Sequence, residues 1–136
     1  LVGGHEAIRE RGAMIVYLTD AYPLAKLGPL PGEPGRGAYL SWLFYYQGVM
    51  EPLIILHWAG LSHPAITSSL RDIATMTTRL SEALADGQWL LGDRFSAADM
   101  LCSSPFIFFP ELTPDDSIIQ SWVARCSEQI QDASPA

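Results

Sequence analysis

Trp89-Leu90-Leu91-Gly92-Asp93-Arg94-Phe95-Ser96-Ala97-Ala98-Asp99-Met100 spells out a complete helix start. The first turn of a helix leaves backbone N–H groups without partners, and Ser96 is a residue type whose side-chain oxygen serves as an N-cap. Asp99 falls at N3, from which a carboxylate reaches back to the N–H of the cap, the reciprocal arrangement of a capping box. Phe95 at N′ and Met100 at N4 are spaced as a hydrophobic staple. An acid in the first turn also complements the helix dipole. Ser96 and Asp99 are therefore read as a structural N-cap.

Outward from this point the chain reads as helices and little else. Residues 9–22 place Met14, Ile15, Leu18, Ala21 and Tyr22 on one helical face, and Pro23 ends the run. Residues 23–37, PLAKLGPLPGEPGRG, have no period and form the candidate linker. A long helix is expected over residues 36–59, apolar nearly all round and so packed on several sides. Ser62 is expected to cap one further helix that ends at Gly87, with Ile66, Leu70, Ile73, Leu80 and Leu84 as its stripe. Pro105 should bend or shorten the helix after Ser96. Thr113-Pro114-Asp115-Asp116 opens the last helix, striped by Ile118, Ile119, Trp122, Val123, Cys126 and Ile130, and the tail after Asp132 should fray. No strand shows clear alternation. The fold class is all-α, a bundle of about five helices.

Composition narrows the functional classes. The chain has 136 residues, 49% of them apolar, enough for one core, and a formal charge of −7 with no basic run. That charge argues against nucleic acid and against an anionic membrane surface. Residues 39–59 are mostly apolar, but Gln47, Glu51, Pro52 and His57 interrupt them, which favours a buried helix over a membrane span. Cys102 and Cys126 have no metal-like spacing, and the expected compartment is a reducing cytoplasm. The opening residues Leu1 to Glu6 lack the order of a signal peptide. His5, His57 and His63 form no HxxH or HExxH pattern and read as surface or tip residues, so no metal is expected.

The stretch from Trp89 to Asp99 closely resembles the W-L-x-G-x-x-F-S-x-A-D signature in the C-terminal helical domain of glutathione S-transferases. A second block, Glu10-Arg11-Gly12-Ala13-Met14-Ile15-Val16-Tyr17-Leu18-Thr19-Asp20-Ala21-Tyr22-Pro23, looks like the E-S/R-x-A-I-x-x-Y-L-x-D-x-Y-P segment of the bacterial members. In the family that segment is the last helix of a thioredoxin-like N-terminal domain. Arg36-Gly37-Ala38-Tyr39 to Met50-Glu51-Pro52 resembles the start of the first helix of the all-α domain, and Trp122-Val123-Ala124-Arg125-Cys126 resembles the opening of a late helix. Ser127-Glu128-Gln129 departs from the R-P-A continuation common there.

The resemblance implies a division into residues 1–22, a remnant of the thioredoxin-like domain, 23–37, a linker, and 38–136, the helical domain. It implies glutathione as co-substrate, conjugated to hydrophobic electrophiles, with no cofactor. The long helix is apolar on more faces than one small bundle can cover, so a homodimer, or higher association, is expected through the Tyr39–Trp58 helix and the Ile66–Leu84 helix. Glu10 would face the γ-glutamyl ammonium, and Arg11 could pair with the γ-glutamyl carboxylate. Trp42, Tyr46 and Met50 share a helix face that in the family lines the hydrophobic co-substrate pocket; the same spacing also suits plain core. Cys102 lies on an apolar helix and reads as inert packing. The Tyr, Ser or Cys that activates the thiol and the cis-proline that grips the peptide have no counterpart in this sequence, so no catalytic residue is assigned and the chain alone is expected to be inactive. Two other readings stand beside this one: a helical dimerisation or interaction module, and a binder of small hydrophobic ligands.

Overall fold

A computed structural model describes residues 2–3 and 6–132 of the chain. His5 and the tail beyond Asp132, for which surface exposure and fraying were expected, lie outside the described residues. The order is β1 (Val2–Gly3), β2 (Glu6–Ala7), α1 (Arg11–Ala21), α2 (Arg36–Tyr45), a wide π-type turn (Tyr46–Met50), α3 (Glu51–Trp58), α4 (Pro64–Leu70), α5 (Ile73–Leu84), α6 (Ala97–Phe108) and α7 (Ser117–Asp132). The architecture is all-α apart from the antiparallel pair β1–β2, in register Val2↔Ala7 and Gly3↔Glu6. Strands of two residues are too short for alternation to register in sequence, which is why none was expected.

The segment expected as one helix over residues 36–59 is continuous but changes pitch. Glu51 N–H bonds to Tyr46 C=O, five residues back, so the turn widens from α to π. Pro52 supplies the reason. In an α-helix its ring would strike the carbonyl four residues earlier, that of Gly48, and a wider turn relieves the clash. The helix expected from Ser62 to Gly87 is instead two helices. Arg71 has φ 68° and ψ −140°, which breaks the run. Asp72 then starts α5, its Oδ1 accepting from Thr75 N and Thr75 Oγ1, each at 2.7 Å. The cap of α4 is His63, whose Nδ1 accepts from Ala65 N at 3.2 Å, not Ser62. The last helix likewise starts later than Thr113-Pro114 suggested. Asp116 caps it, its Oδ1 accepting from Ile118 N at 2.9 Å and Ile119 N at 3.1 Å.

Pro105 leaves α6 intact to Phe108. It removes the N–H that Leu101 C=O would have accepted, and Ser104 Oγ donates to that carbonyl at 2.7 Å instead. On α1 the buried residues are Gly12 and Thr19, while Leu18 and Tyr22, expected on the inner face, are 38% and 64% exposed. A polar contact turns the helix: the hydroxyls of Thr19 and Tyr39 meet at 3.1 Å. Residues 23–37 are irregular but held. Leu27 C=O accepts from Ala97 N at 2.7 Å, and Arg36 forks onto Asp20 at 2.7 and 3.0 Å.

The core gathers Tyr39, Leu43, Met50, Leu80, Phe106, Ile119 and Trp122 around α6. Asp99 sits among them fully buried, as a four-way acceptor. Its Oδ2 takes bonds from Ser96 N and Ser96 Oγ, both at 2.9 Å, and its Oδ1 takes bonds from Leu90 N at 2.8 Å and Trp122 Nε1 at 3.0 Å. Removing one side of such a network leaves buried donors unpaired. Asp99→Ala should therefore cost about 3 kcal/mol or more and Ser96→Ala about 1 kcal/mol. The double variant should cost less than the sum, because the two residues share one network. Full additivity in urea melts would show that the network does not act as a unit.

Both cysteines are buried. Burial drives the Cys102 thiol well above its usual ionisation range and pushes that of Cys126 up to about 12. The unfolded thiols ionise at pH ~8.5. Their contribution to stability is thus full below that pH and is lost as pH rises towards about 12. A thiol reagent at pH 8 should label both only at the global unfolding rate; fast labelling of either in the folded chain would contradict this burial.

Candidate functional site

An apolar cleft of about 630 Å³ opens on the molecule, within the range of small-molecule sites. Three walls form it. Arg11, Met14 and Ile15 come from α1; Tyr46, Glu51, Ile54, Ile55 and Trp58 come from the wide turn and α3. The third wall, from Met100 to Phe108, belongs to α6. The α6 wall is apolar because the same helix turns Asp99 and Phe106 inward to the core. Several lining residues stand open to solvent: Ile55 55%, Trp58 71%, Phe108 75% and Phe109 53%.

One end of the cleft is polar. Arg11 pairs with Glu51, and its guanidinium lies 5.5 Å from the centre of the Tyr46 ring. Tyr46 hydroxyl donates to Glu51 Oε1 at 3.4 Å. Burial raises the Tyr46 phenol, so it stays protonated near neutrality. The start of α1 is tied to the same place, since Gln47 Oε1 accepts from Gly12 N at 2.9 Å. The π turn makes this possible by setting Tyr46, Gln47 and Glu51 at the foot of α1. Wide turns of this kind recur at functional sites.

Glu10 and Arg11 sit side by side at the entrance to α1. Glu10 is exposed and holds φ 64°, ψ 126°, a backbone state uncommon for any residue with a side chain. Arg11 lines the cleft. Of Trp42, Tyr46 and Met50, only Tyr46 does so. Met50 is fully buried and Trp42 7% exposed, both in the core. Arg79 covers Trp42, its guanidinium 5.1 Å from that ring and 3.8 Å from the Tyr45 ring. Trp42, Tyr46 and Met50 keep one inward face and all pack in the core cluster, the plain-core alternative that their spacing also allowed. Residues that spacing did not single out, Glu51, Ile54, Ile55 and Trp58, take the cleft positions.

Ser96 and Asp99 lie away from the cleft, within the core. His63 is occupied as a helix cap. Among the described residues, no group of three or more His, Cys, Asp or Glu is placed to hold a metal ion, and no helix is long and apolar enough to cross a membrane.

No protein-family profile and no curated protein matches this sequence. Solved structures do. The chain superposes on BphK, a bacterial glutathione transferase solved as a ternary complex, with TM-score 0.76 and 22% identity over 94% of this chain and 67% of that one. It superposes on a glutathione transferase from Methylococcus capsulatus strain Bath with TM-score 0.69 and 26% identity, over 94% of this chain and 63% of that one. In both comparisons the all-α arrangement matches along nearly the whole of the present sequence, and the chain carries the helical fold of the bacterial glutathione transferases.

Proposed function

We propose that this chain is the helical portion of a glutathione S-transferase-like protein, and that the cleft between α1, α3 and α6 receives the hydrophobic co-substrate. The observation that carries this reading is the cleft itself: an open apolar cavity on a glutathione transferase fold, with Glu10 and Arg11 at the foot of one wall. In this reading residues 1–22 belong with a thioredoxin-like domain, 23–37 form the linker and 38–136 the helical domain.

The division of labour follows from side-chain chemistry. Arg11 has five donors and uses part of them on Glu51, so it can also meet the γ-glutamyl carboxylate of glutathione. Glu10 would take the γ-glutamyl ammonium. Both contacts are exposed and end-on, worth millimolar affinity or about −4 kcal/mol at best. Conjugation needs a group that turns the glutathione thiol into a thiolate. In the cleft the Tyr46 hydroxyl directs its proton to Glu51 Oε1, and both cysteines are sequestered in the core. No residue of the cleft is assigned thiol activation, and the chain spans 67% and 63% of the two transferases.

The test has two arms. A neutral apolar dye such as Nile red should bind the chain, and Ile55→Trp, which fills an exposed part of the cleft, should weaken binding at least ~5-fold (about 1 kcal/mol) without lowering the melting temperature. Glutathione conjugation of a chloronitrobenzene by the chain alone should stay at the buffer rate. Dye binding indifferent to Ile55→Trp, or robust turnover, would overturn the reading.

A second copy of the chain is the partner we assign to the outer side of α2. Phe44 stands 70% exposed there beside exposed Gly37, Ala38 and Ser41. Phe44→Glu should shift sedimentation towards monomer; a native chain that is monomeric at high micromolar concentration removes the assignment.

A further inference from the structure

We infer that Met14 and Met100 form a peroxide-sensitive modification site, whose oxidation to the sulfoxide closes the cleft to apolar ligands; this rests on the cleft being a ligand site. The chain has four methionines, and the fold divides them into two pairs. Met50 and Met76 lie in the core at 0% and 1% exposure. Met14 and Met100 are partly exposed, and both line the cleft. Helix spacing accounts for the division. On α1 Met14 falls three residues after Arg11, and on α6 Met100 shares a face with Ser104 and Phe108 at intervals of four; all of these line the cleft. The two thioethers therefore belong to two different walls.

The other sulfur of the chain is withheld. Cys102 and Cys126 are buried, and burial raises both thiols, which suppresses the thiolate that a peroxide attacks. A peroxide that enters the cleft meets thioethers instead. A sulfur lone pair attacks one peroxide oxygen, and an S–O bond forms as the O–O bond breaks. The thioether is oxidised by two electrons to the sulfoxide. Hydrogen peroxide is reduced to water, the proton of the transferred oxygen passing to the departing hydroxide. The product replaces a flexible apolar side chain with a polar one on two walls of the cleft. An apolar ligand then has to strip water from the sulfoxide oxygens, which costs affinity.

Hydrogen peroxide treatment of the chain, read by peptide mass spectrometry and by Nile red titration, tests this. Sulfoxide should accumulate at Met14 and Met100 while Met50 and Met76 stay unmodified. Nile red should then bind at least ~5-fold more weakly, and methionine sulfoxide reductases of both epimer specificities should restore the affinity. Met14→Leu combined with Met100→Leu keeps both walls apolar at similar volume. In that variant the same treatment should change affinity by less than ~2-fold, whatever its starting value. Oxidation of all four methionines at one rate, selective oxidation without loss of Nile red affinity, a loss that the reductases do not reverse, or an undiminished loss in the double variant each overturns the inference while the cleft remains a ligand site. An untreated native chain that does not bind Nile red overturns the inference and the cleft reading together.

Discussion

The carboxylate of Asp99 has lost all contact with water and is met by donors from three separate parts of the chain. A buried charged side chain is tolerated only when every such demand is met, and here each partner brings an element with it. Ser96 fixes where α6 begins. Leu90 N anchors the short loop before it, a turn closed by mutual bonds between Trp89 and Gly92 in which Gly92 adopts φ 96°. A side chain at Gly87 would come within 2.9 Å of the Gly92 backbone, so that loop can close only on bare glycine. Trp122 brings α7 against α6. Arg125, one turn further along α7, then donates to Gln88 C=O at 2.8 Å and lies 5.6 Å from the Trp89 ring, binding the helix to the same loop. The direction of α6, and with it the apolar wall of the cleft, is set from this point.

The second constraint is Pro52. By forcing the preceding turn to widen, it moves Tyr46 and Gln47 out of a regular α-helical pattern and under the start of α1. Gln47 then satisfies the Gly12 N–H that α1 cannot satisfy itself, and Glu51 holds Arg11. A residue disfavoured inside helices thus produces a junction where side chains of one helix bond to the start of another, at the end of an apolar cleft. Glu10, held in an uncommon backbone state at that junction, fits the tendency of strain to collect at functional positions.

These two constraints differ in how far they could be read from sequence. Ser96 and Asp99 announce a helix start through local spacing, and the apolar periodicity of residues 36–59 announces a buried helix; both signals stay within a few turns. The donors from Leu90 and Trp122 were not legible, because they arrive across nine and twenty-three residues of separation. The break at Arg71 was hidden by apolar spacing that continues on both sides of it, although Asp72 with Thr75 is a start signal in its own right. The inward face carrying Trp42, Tyr46 and Met50 was legible from its spacing, but spacing could not say which of the three also borders the cleft. Trp42 and Met50 lie in the core, while Tyr46, Glu51 and Trp58 line the cleft.

The wall chemistry also explains why the cleft stays open in this chain. Its outer rim is built from large rigid side chains, Trp58, Phe108 and Phe109, that cannot fold over one another without leaving their helix positions. Its floor, Leu101 and Ile54, belongs to helices already committed to the core through Asp99 and Met50. Collapse that moved α6 would have to break the Asp99 network and leave its buried donors unpaired. The cavity is thus a consequence of the same interactions that hold the helices in place, and a ligand or a neighbouring domain finds it already formed.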